Sequence, residues 1–502
     1  MFTSTERFGF FDYFRVPYGI ATDPDASLPA DIGGLRPTDR ESGPLPWLYW
    51  WRKGAASHHS REAGRYTIAG FTLVAPVLRD FAPELADSLG TGWRALQPIL
   101  DQEGSTVASV WVDQDGSVFL PFDPAEAMTS LWSEAYTRLG RGRWSGAVRG
   151  GLVKTYYTLR PLLPRVVQIR LRQGYAAHNE LPDFPSWPLE SSLHDLYDWL
   201  FGLLSSLAGE PVPYLSPWPA GKESALVLTH DVETAVGRDN IEKLRAAERA
   251  HGFRSSWNFV PLRYDVADAV LEGLREEGCE IGVHGLRHDG KDLASRRMLR
   301  KRLPVMREYA EKWGAVGFRS PATQRIWALM PTLGFDYDSS YHDTAPHEPQ
   351  PGGSCTWFPF FNEQQVELPM TLPMDHTLFE ILGHADGTAW REKAEELRRR
   401  GGMVLVLVHP DYVTCPGLLE AWEDLLAQFT GDESVWQALP KEVSSWWRRR
   451  AESSLTWDGA AWSVEGPAAS DAEIRFGATQ QGRSGNSVQG EGEPNVDHRV
   501  AG

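Results

Sequence analysis

The chain has 502 residues, enough for two or more domains that each bury a core of their own. A formal charge of −17 excludes a general nucleic-acid binder, whose surface must neutralise phosphates. Cys279, Cys355 and Cys415 stand far apart in no Cys-x-x-Cys pattern, which excludes a disulfide framework and fits a reduced compartment.

At the amino terminus, Met1 to Tyr13 shows neither a basic leader nor a sustained apolar segment, so no signal peptide is expected. No run of about 18 apolar residues occurs, so no transmembrane segment is expected and the protein reads as cytoplasmic. Residues 1–150 read as a separate α+β domain of unknown role. Tyr66–Val74 and Thr106–Val112 are rich in β-branched residues and predict strands. Asp113-Gln114-Asp115-Gly116 is a turn signal, and Ser117–Leu120 after it completes a hairpin. Asp123-Pro124 starts a helix running through Leu131, Trp132 and Ala135. The 21 tryptophans are mostly core, with some available for carbohydrate stacking, and the Trp47–Trp51 cluster reads as a packed plug rather than a sugar platform.

Residues 151–220 form a basic, proline-rich connector. Arginines from Arg141 to Arg172 interleave with Tyr156, Tyr157, Leu162 and Leu163. Pro161 and Pro164 interrupt that pattern, which favours a helical connector lying on another domain over a membrane-surface helix. A helix at Ser192–Leu207 lies between the proline clusters 182–188 and 211–219.

From Gly221 to about residue 440 the periodicity changes. Seven apolar strand-like runs, Ala225–Leu228, Ser255–Val260, Cys279–Val283, Val316–Phe318, Phe335–Asp338, Val366–Leu368 and Met403–Val408, alternate with helical patterns. The helices are expected at Asn240–Ala250, Val266–Glu277, Leu293–Trp313, Arg325–Leu333, Thr377–Leu382, Trp390–Arg400 and Leu418–Phe429. Such alternation implies a parallel sheet buried on both faces, and the lack of a glycine-rich phosphate loop after the first strand favours a closed or nearly closed barrel. Residues 441–476 read as a small C-terminal extension with a hairpin turn at Trp457-Asp458-Gly459, and 477–502 as a disordered tail.

In a parallel barrel the site is assembled at the C-terminal ends of the strands. The first run ends in Thr229-His230-Asp231-Val232-Glu233, and period-two alternation puts Asp231 and Glu233 on one side. The third ends in His284, with His288 four residues on. Had the strand continued, these imidazoles would stand about 13 Å apart at about 3.3 Å per residue, whereas two nitrogens on one zinc lie within about 4 Å. Joint ligation therefore requires a turn after His284, which Gly285 and one helical turn would make. The fourth run ends in Phe318-Arg319-Ser320-Pro321 and the seventh in Leu407-Val408-His409-Pro410-Asp411. Singly, each polar residue has an ordinary explanation as a cap, an ion-pair partner or a strand-end histidine. Together, on strand ends of one barrel, they point to a site. Asp375-His376 is either a further substrate contact near the mouth or a helix cap.

These motifs resemble those of the polysaccharide deacetylases, the NodB-homology domain of carbohydrate esterase family four. Thr229–Glu233 is similar to that family's Thr-Phe-Asp-Asp-Gly, His284–His288 to its His-x-x-x-His, Phe318–Pro321 to its Arg-x-Pro motif, and Leu407–Pro410 to its last strand with a histidine. The resemblance covers about 200 of the 502 residues. It implies a distorted (β/α)7 barrel that binds a divalent metal, usually zinc, through one carboxylate and two histidines, and hydrolyses an acetamido group. It also implies a carboxylate base, an arginine that orients it and a histidine acid. Carried onto this chain, Asp231, Arg319 and His409 are catalytic, and Glu233, His284 and His288 hold the metal. The family's adjacent Asp-Asp is replaced here by Asp231-Val232-Glu233, so the base and ligand assignments of Asp231 and Glu233 rest on members with a spaced pair, and the reverse stays open. Three functions follow: a deacetylase of an N-acetylated sugar or glycan, an amidase of a small non-sugar amide or imide, and a non-catalytic barrel used for binding.

Overall fold

The computed structural model describes residues 1–21, 28–38, 45–52, 61–79, 81, 83–139, 169–170, 172–174 and 181–477. The expected tail from residue 478 onward and most of the arginine-rich stretch 141–172 lie outside them. Among the described residues no helix is long and apolar enough to cross a membrane.

The N-terminal residues build a mixed nine-stranded sheet. Tyr66–Val74 is not one strand: Arg61–Ile68 and Phe71–Leu78 form an antiparallel hairpin. Ala69 and Gly70 between them both take positive φ, the conformation of a tight two-residue hairpin turn. The β-branched residues on both sides of that dipeptide hide the turn in the sequence. The hairpin of Thr106–Val112 with Val118–Leu120 forms as expected, and Asp123 caps the helix Pro124–Trp132 by accepting from Ala125 and Glu126 N–H. Leu48, Tyr49, Trp50 and Trp51 are buried in a central strand.

The second sheet is parallel and carries the site. Its strands are β1 (Ser224–Val232), β2 (Ser256–Phe259), β3 (Glu280–Val283), β4 (Gly317–Phe318), β5 (Tyr337–Asp338), β6 (Gln365–Glu367) and β7 (Met403–Leu407). They lie in the order β6-β5-β4-β3-β2-β1-β7, so every consecutive pair from β1 to β6 is adjacent and β7 returns beside β1. Phe360–Asn362 adds an antiparallel strand outside β6, and Val435–Gln437 pairs with the start of β1. The gap between β6 and β7 is bridged by irregular chain: Thr371 and Leu372 N–H both donate to the Leu405 carbonyl at 3.1 Å. Seven parallel strands thus curl into a barrel whose last seam is bridged by these two N–H groups and by Thr371 Oγ1, which donates to Met403 O at 2.7 Å and accepts from Leu405 N–H at 2.8 Å.

Helices cover the outside at Ala235–His251, Asp268–Glu276, Arg296–Trp313, Thr388–Arg399 and Leu418–Phe429. The expected helix at Arg325–Leu333 is only a 3₁₀ turn, Met330–Leu333. Pro331 cannot donate to a longer helix, and the Arg325 guanidinium is committed to Glu134 of the N-terminal part. The expected helix Thr377–Leu382 is a single wide π turn, His376–Ile381.

The C-terminal helix Pro440–Ala451 lies across the N-terminal end of the barrel, where Lys441 N–H donates to Glu280 at the start of β3. Its Arg450 donates to the carbonyls of Tyr13, Phe14, Leu215 and Ser216. On the barrel's flank Trp132 stacks on Phe360 with centroids 5.4 Å apart, and Tyr136 Oη donates to Gly353 O at 2.6 Å. The N-terminal part therefore has a sheet of its own, while its helical face shares one buried hydrophobic cluster with the barrel.

Candidate active site

Along β1 the side chains alternate. Thr229 Oγ1 and Asp231 Oδ1 both accept from Arg319 Nη1, at 2.9 and 3.2 Å. His230 points the other way, against Trp257, Trp422 and the buried Glu248. The carboxylate of Glu233 lies just beyond the strand, on the side of Asp231.

After β3 the backbone turns as joint ligation of His284 and His288 requires, by bends rather than a helical turn. Gly285 has φ 63°, and a Cβ there would lie 2.5 Å from Asp292 Oδ2 and 2.6 Å from Pro321 Cδ. His288 itself has φ 52°, which costs a non-glycine residue roughly 1–3 kcal/mol of strain. Asp292 accepts from Leu286 N–H, and Arg302 ties Asp289 to Asp292. The result brings the two imidazole rings to 5.1 Å.

All six side chains singled out in the sequence meet in one place. Ligand atoms of Glu233, His284 and His288 lie within 4.8 Å of one another. Glu233 Oε1 is 2.8 Å from His288 Nε2 and 3.9 Å from His409 Nε2, while Asp231 Oδ2 is 3.5 Å from His284 Nδ1. Arg319 also donates to Ser339 O and Ser339 Oγ at 2.8 Å each.

Burial sets the electrostatics, because a desolvated charge needs compensation close by. Burial would raise the Asp231 carboxyl, but His284, Arg319, His409 and the Asn258 hydrogen bond hold it below the ordinary carboxylate range. Glu233 is held well below that range, against burial, chiefly by His288 and then by His409 and His284. Burial pushes His284 down to about 4, with Asp231 opposing, so its imidazole is neutral near pH 7. His409 behaves oppositely: burial would lower it, yet Asp375, then Glu233 and Asp231, push it up to about 10.

Two of these partners were not singled out for these roles in the sequence. Asn258, near the end of β2, donates to Asp231 Oδ1 at 2.8 Å; the signal was a side-chain amide inside a predicted strand. Asp375 does cap the turn that follows, accepting from His376 N–H, but it also accepts from His409 N–H and Nδ1, both at 2.6 Å. Asp375 and His409 are 34 residues apart, and only the fold puts them together.

The donor set fits a divalent metal. His284 Nδ1 lies 3.1 Å from the Arg319 carbonyl, which requires the N–H on that nitrogen and leaves the Nε2 lone pair outward. That Nε2 is buried with no hydrogen-bond partner. A buried orphan nitrogen beside a second imidazole and an ionised carboxylate is a set of donors suited to a divalent metal ion.

No family model matches the chain, and no curated protein matches it. Among solved structures it is similar to a protein described as a polysaccharide deacetylase from Mycobacterium smegmatis, with 19% identity over 46% of this chain and 92% of that one, at TM-score 0.38. A second described as a polysaccharide deacetylase, from Pseudomonas aeruginosa PAO1, has 17% identity over 49% and 97%, also at 0.38. The allantoinase Puue has 17% identity over 46% and 92%, again at 0.38. The solved structures that this chain is similar to thus include proteins described as polysaccharide deacetylases.

Proposed function

We propose that the chain is a metal-dependent hydrolase that removes an acetyl group from an N-acetylated sugar or glycan. The observation that carries this reading is the orphaned, buried His284 Nε2, on an imidazole that clusters with Glu233 and His288, with an ionised Asp231 and a protonated His409 beside them. Glu233, His284 and His288 would hold the ion, and two imidazoles with one carboxylate suit zinc. When bound there, a divalent ion supplies Lewis-acid polarisation of the acyl oxygen and a lowered pKa for water.

The remaining chemistry belongs to the chain. Asp231 takes the proton of the attacking water as its general base. Arg319 and Asn258 keep it ionised and aimed, because both donate to the same oxygen, Oδ1. That leaves Oδ2 to receive the proton. His409 gives its Nε2 proton to the leaving amine, and Asp375 on Nδ1 keeps that imidazole charged and turned toward the site.

A second reading, hydrolysis of a small non-sugar amide or imide, draws support from depth: Asp231, His284 and His409 are only 1%, 2% and 5% exposed, which favours a compact substrate. Elemental analysis of purified protein with an assay of acetate release from N-acetyl sugars separates the possibilities. Metal with acetate release supports the deacetylase, and metal with turnover of a small amide alone supports the second reading. Absence of metal at stoichiometric occupancy leaves a non-catalytic barrel. Glu233→Ala is expected to weaken metal affinity strongly, whereas Asp231→Asn keeps the metal and abolishes turnover. The opposite pattern in metal titrations exchanges the two roles.

A further inference from the structure

Glu233 sits on a turn beyond the end of β1, where ladder hydrogen bonds no longer hold the chain, yet a metal carboxylate needs a fixed position. Asp411 supplies the restraint. Its Oδ2 accepts from Glu233 N–H at 2.9 Å, and its Oδ1 accepts from Thr234 Oγ1 at 2.5 Å. Thr234 in turn caps the helix Ala235–His251, accepting from Val236 N–H at 3.2 Å. Asp411 belongs to the 3₁₀ turn Pro410–Tyr412, directly after His409. Asn240 of the same helix also donates to Pro410 O at 3.3 Å. The packing leaves no slack: a Cβ at Gly237 would lie 2.1 Å from Asp411 Oδ2.

We propose that Asp411 is a positioning residue that locks the Glu233 turn to the His409 turn, so that the metal carboxylate and the acid keep their separation. The inference rests on the deacetylase-type reading of Glu233 as a metal ligand and deepens it. Asp411 touches no reacting atom. It acts by holding the backbone of one functional residue against the element bearing the other, as outer-shell partners hold ligands elsewhere. An Asp-to-Asn change keeps one acceptor oxygen but presents an N–H₂ to one of two donors, so it should preserve half of the lock.

The test is zinc titration of the metal-stripped full chain by competition with a chromophoric chelator, with thermal unfolding of the same samples. Asp411→Ala is expected to lose about 10–100-fold in zinc affinity and Asp411→Asn less, with folded protein in both titrations. A wild-type affinity retained in both variants, with only the unfolding temperature lowered, makes Asp411 a simple helix-capping partner and overturns the proposal. If Asp411→Ala does not fold, the Asn variant decides by the same readout. Failure of the wild-type chain to bind zinc or any other divalent ion overturns the functional reading itself, and this inference with it; binding by wild type and both variants alike overturns this inference alone.

Discussion

At the scale of single residues, the site depends on where each proton sits. His409 must carry one to act as an acid, so its contribution is present below its pKa and lost as pH rises through it. Asp375 is the first of the groups that raise this pKa, against burial. Asp375→Asn removes that charge, and the alkaline limb of the rate profile is expected to move down by at least about one pH unit. An unmoved limb in a folded, metal-loaded variant would remove the dyad from proton delivery. A second change at this scale concerns Gly282. A Cβ there would lie 1.9 Å from Asn258 Oδ1, so Gly282→Ala should drive Asn258 away from Asp231. Turnover is expected to fall about 10-fold or more, in keeping with the loss of one charge-assisted hydrogen bond, while metal content stays unchanged.

Elements contribute by placing these groups. The site residues stand at or just past the C-terminal ends of the barrel strands. The covering helices follow ordinary rules: Ser295 caps Arg296–Trp313 through Met298 N–H, and Gly314 ends it in the left-handed conformation. The same helix carries Pro304 in its interior, at an exposed position. Proline there forfeits a backbone hydrogen bond and crowds the preceding turn. Pro304→Ala is therefore expected to stabilise the protein, by up to about 3 kcal/mol in equilibrium unfolding. A neutral or destabilising result would show that the proline ring itself is needed for the helix's packing.

Across the whole molecule, the N-terminal part and the barrel are joined by buried polar contacts as well as apolar ones. Arg325 is 3% exposed and forks onto Glu134, with Nε at 3.0 and 2.9 Å from its two carboxylate oxygens. Removing the carboxylate leaves a buried guanidinium with only carbonyl acceptors. Glu134→Ala is expected to cost about 3–5 kcal/mol in chemical denaturation, and far more than an exposed ion pair such as Arg7–Asp12. A loss below about 1 kcal/mol would mean that water reaches Arg325 once Glu134 is gone.

Much of this was legible along the chain. Strand and helix alternation and the polar residues at strand ends follow from local periodicity, which depends only on near neighbours in sequence. So does the shared side of Asp231 and Glu233, because a strand has a period of two. What the sequence left open depended on distance in space. The Ala69-Gly70 turn was hidden because β-branched residues run through it, and the predicted helix at 325–333 gave way to a contact with Glu134, 191 residues away. The pairing of Asp375 with His409, the hold of Asn258 and Arg319 on one oxygen of Asp231, and the grip of Asp411 on the Glu233 turn all join different strand ends. Residue type and spacing determined which groups could take part in the chemistry. Only the closed barrel decided which of them are charged, because that depends on what burial brings within hydrogen-bond reach.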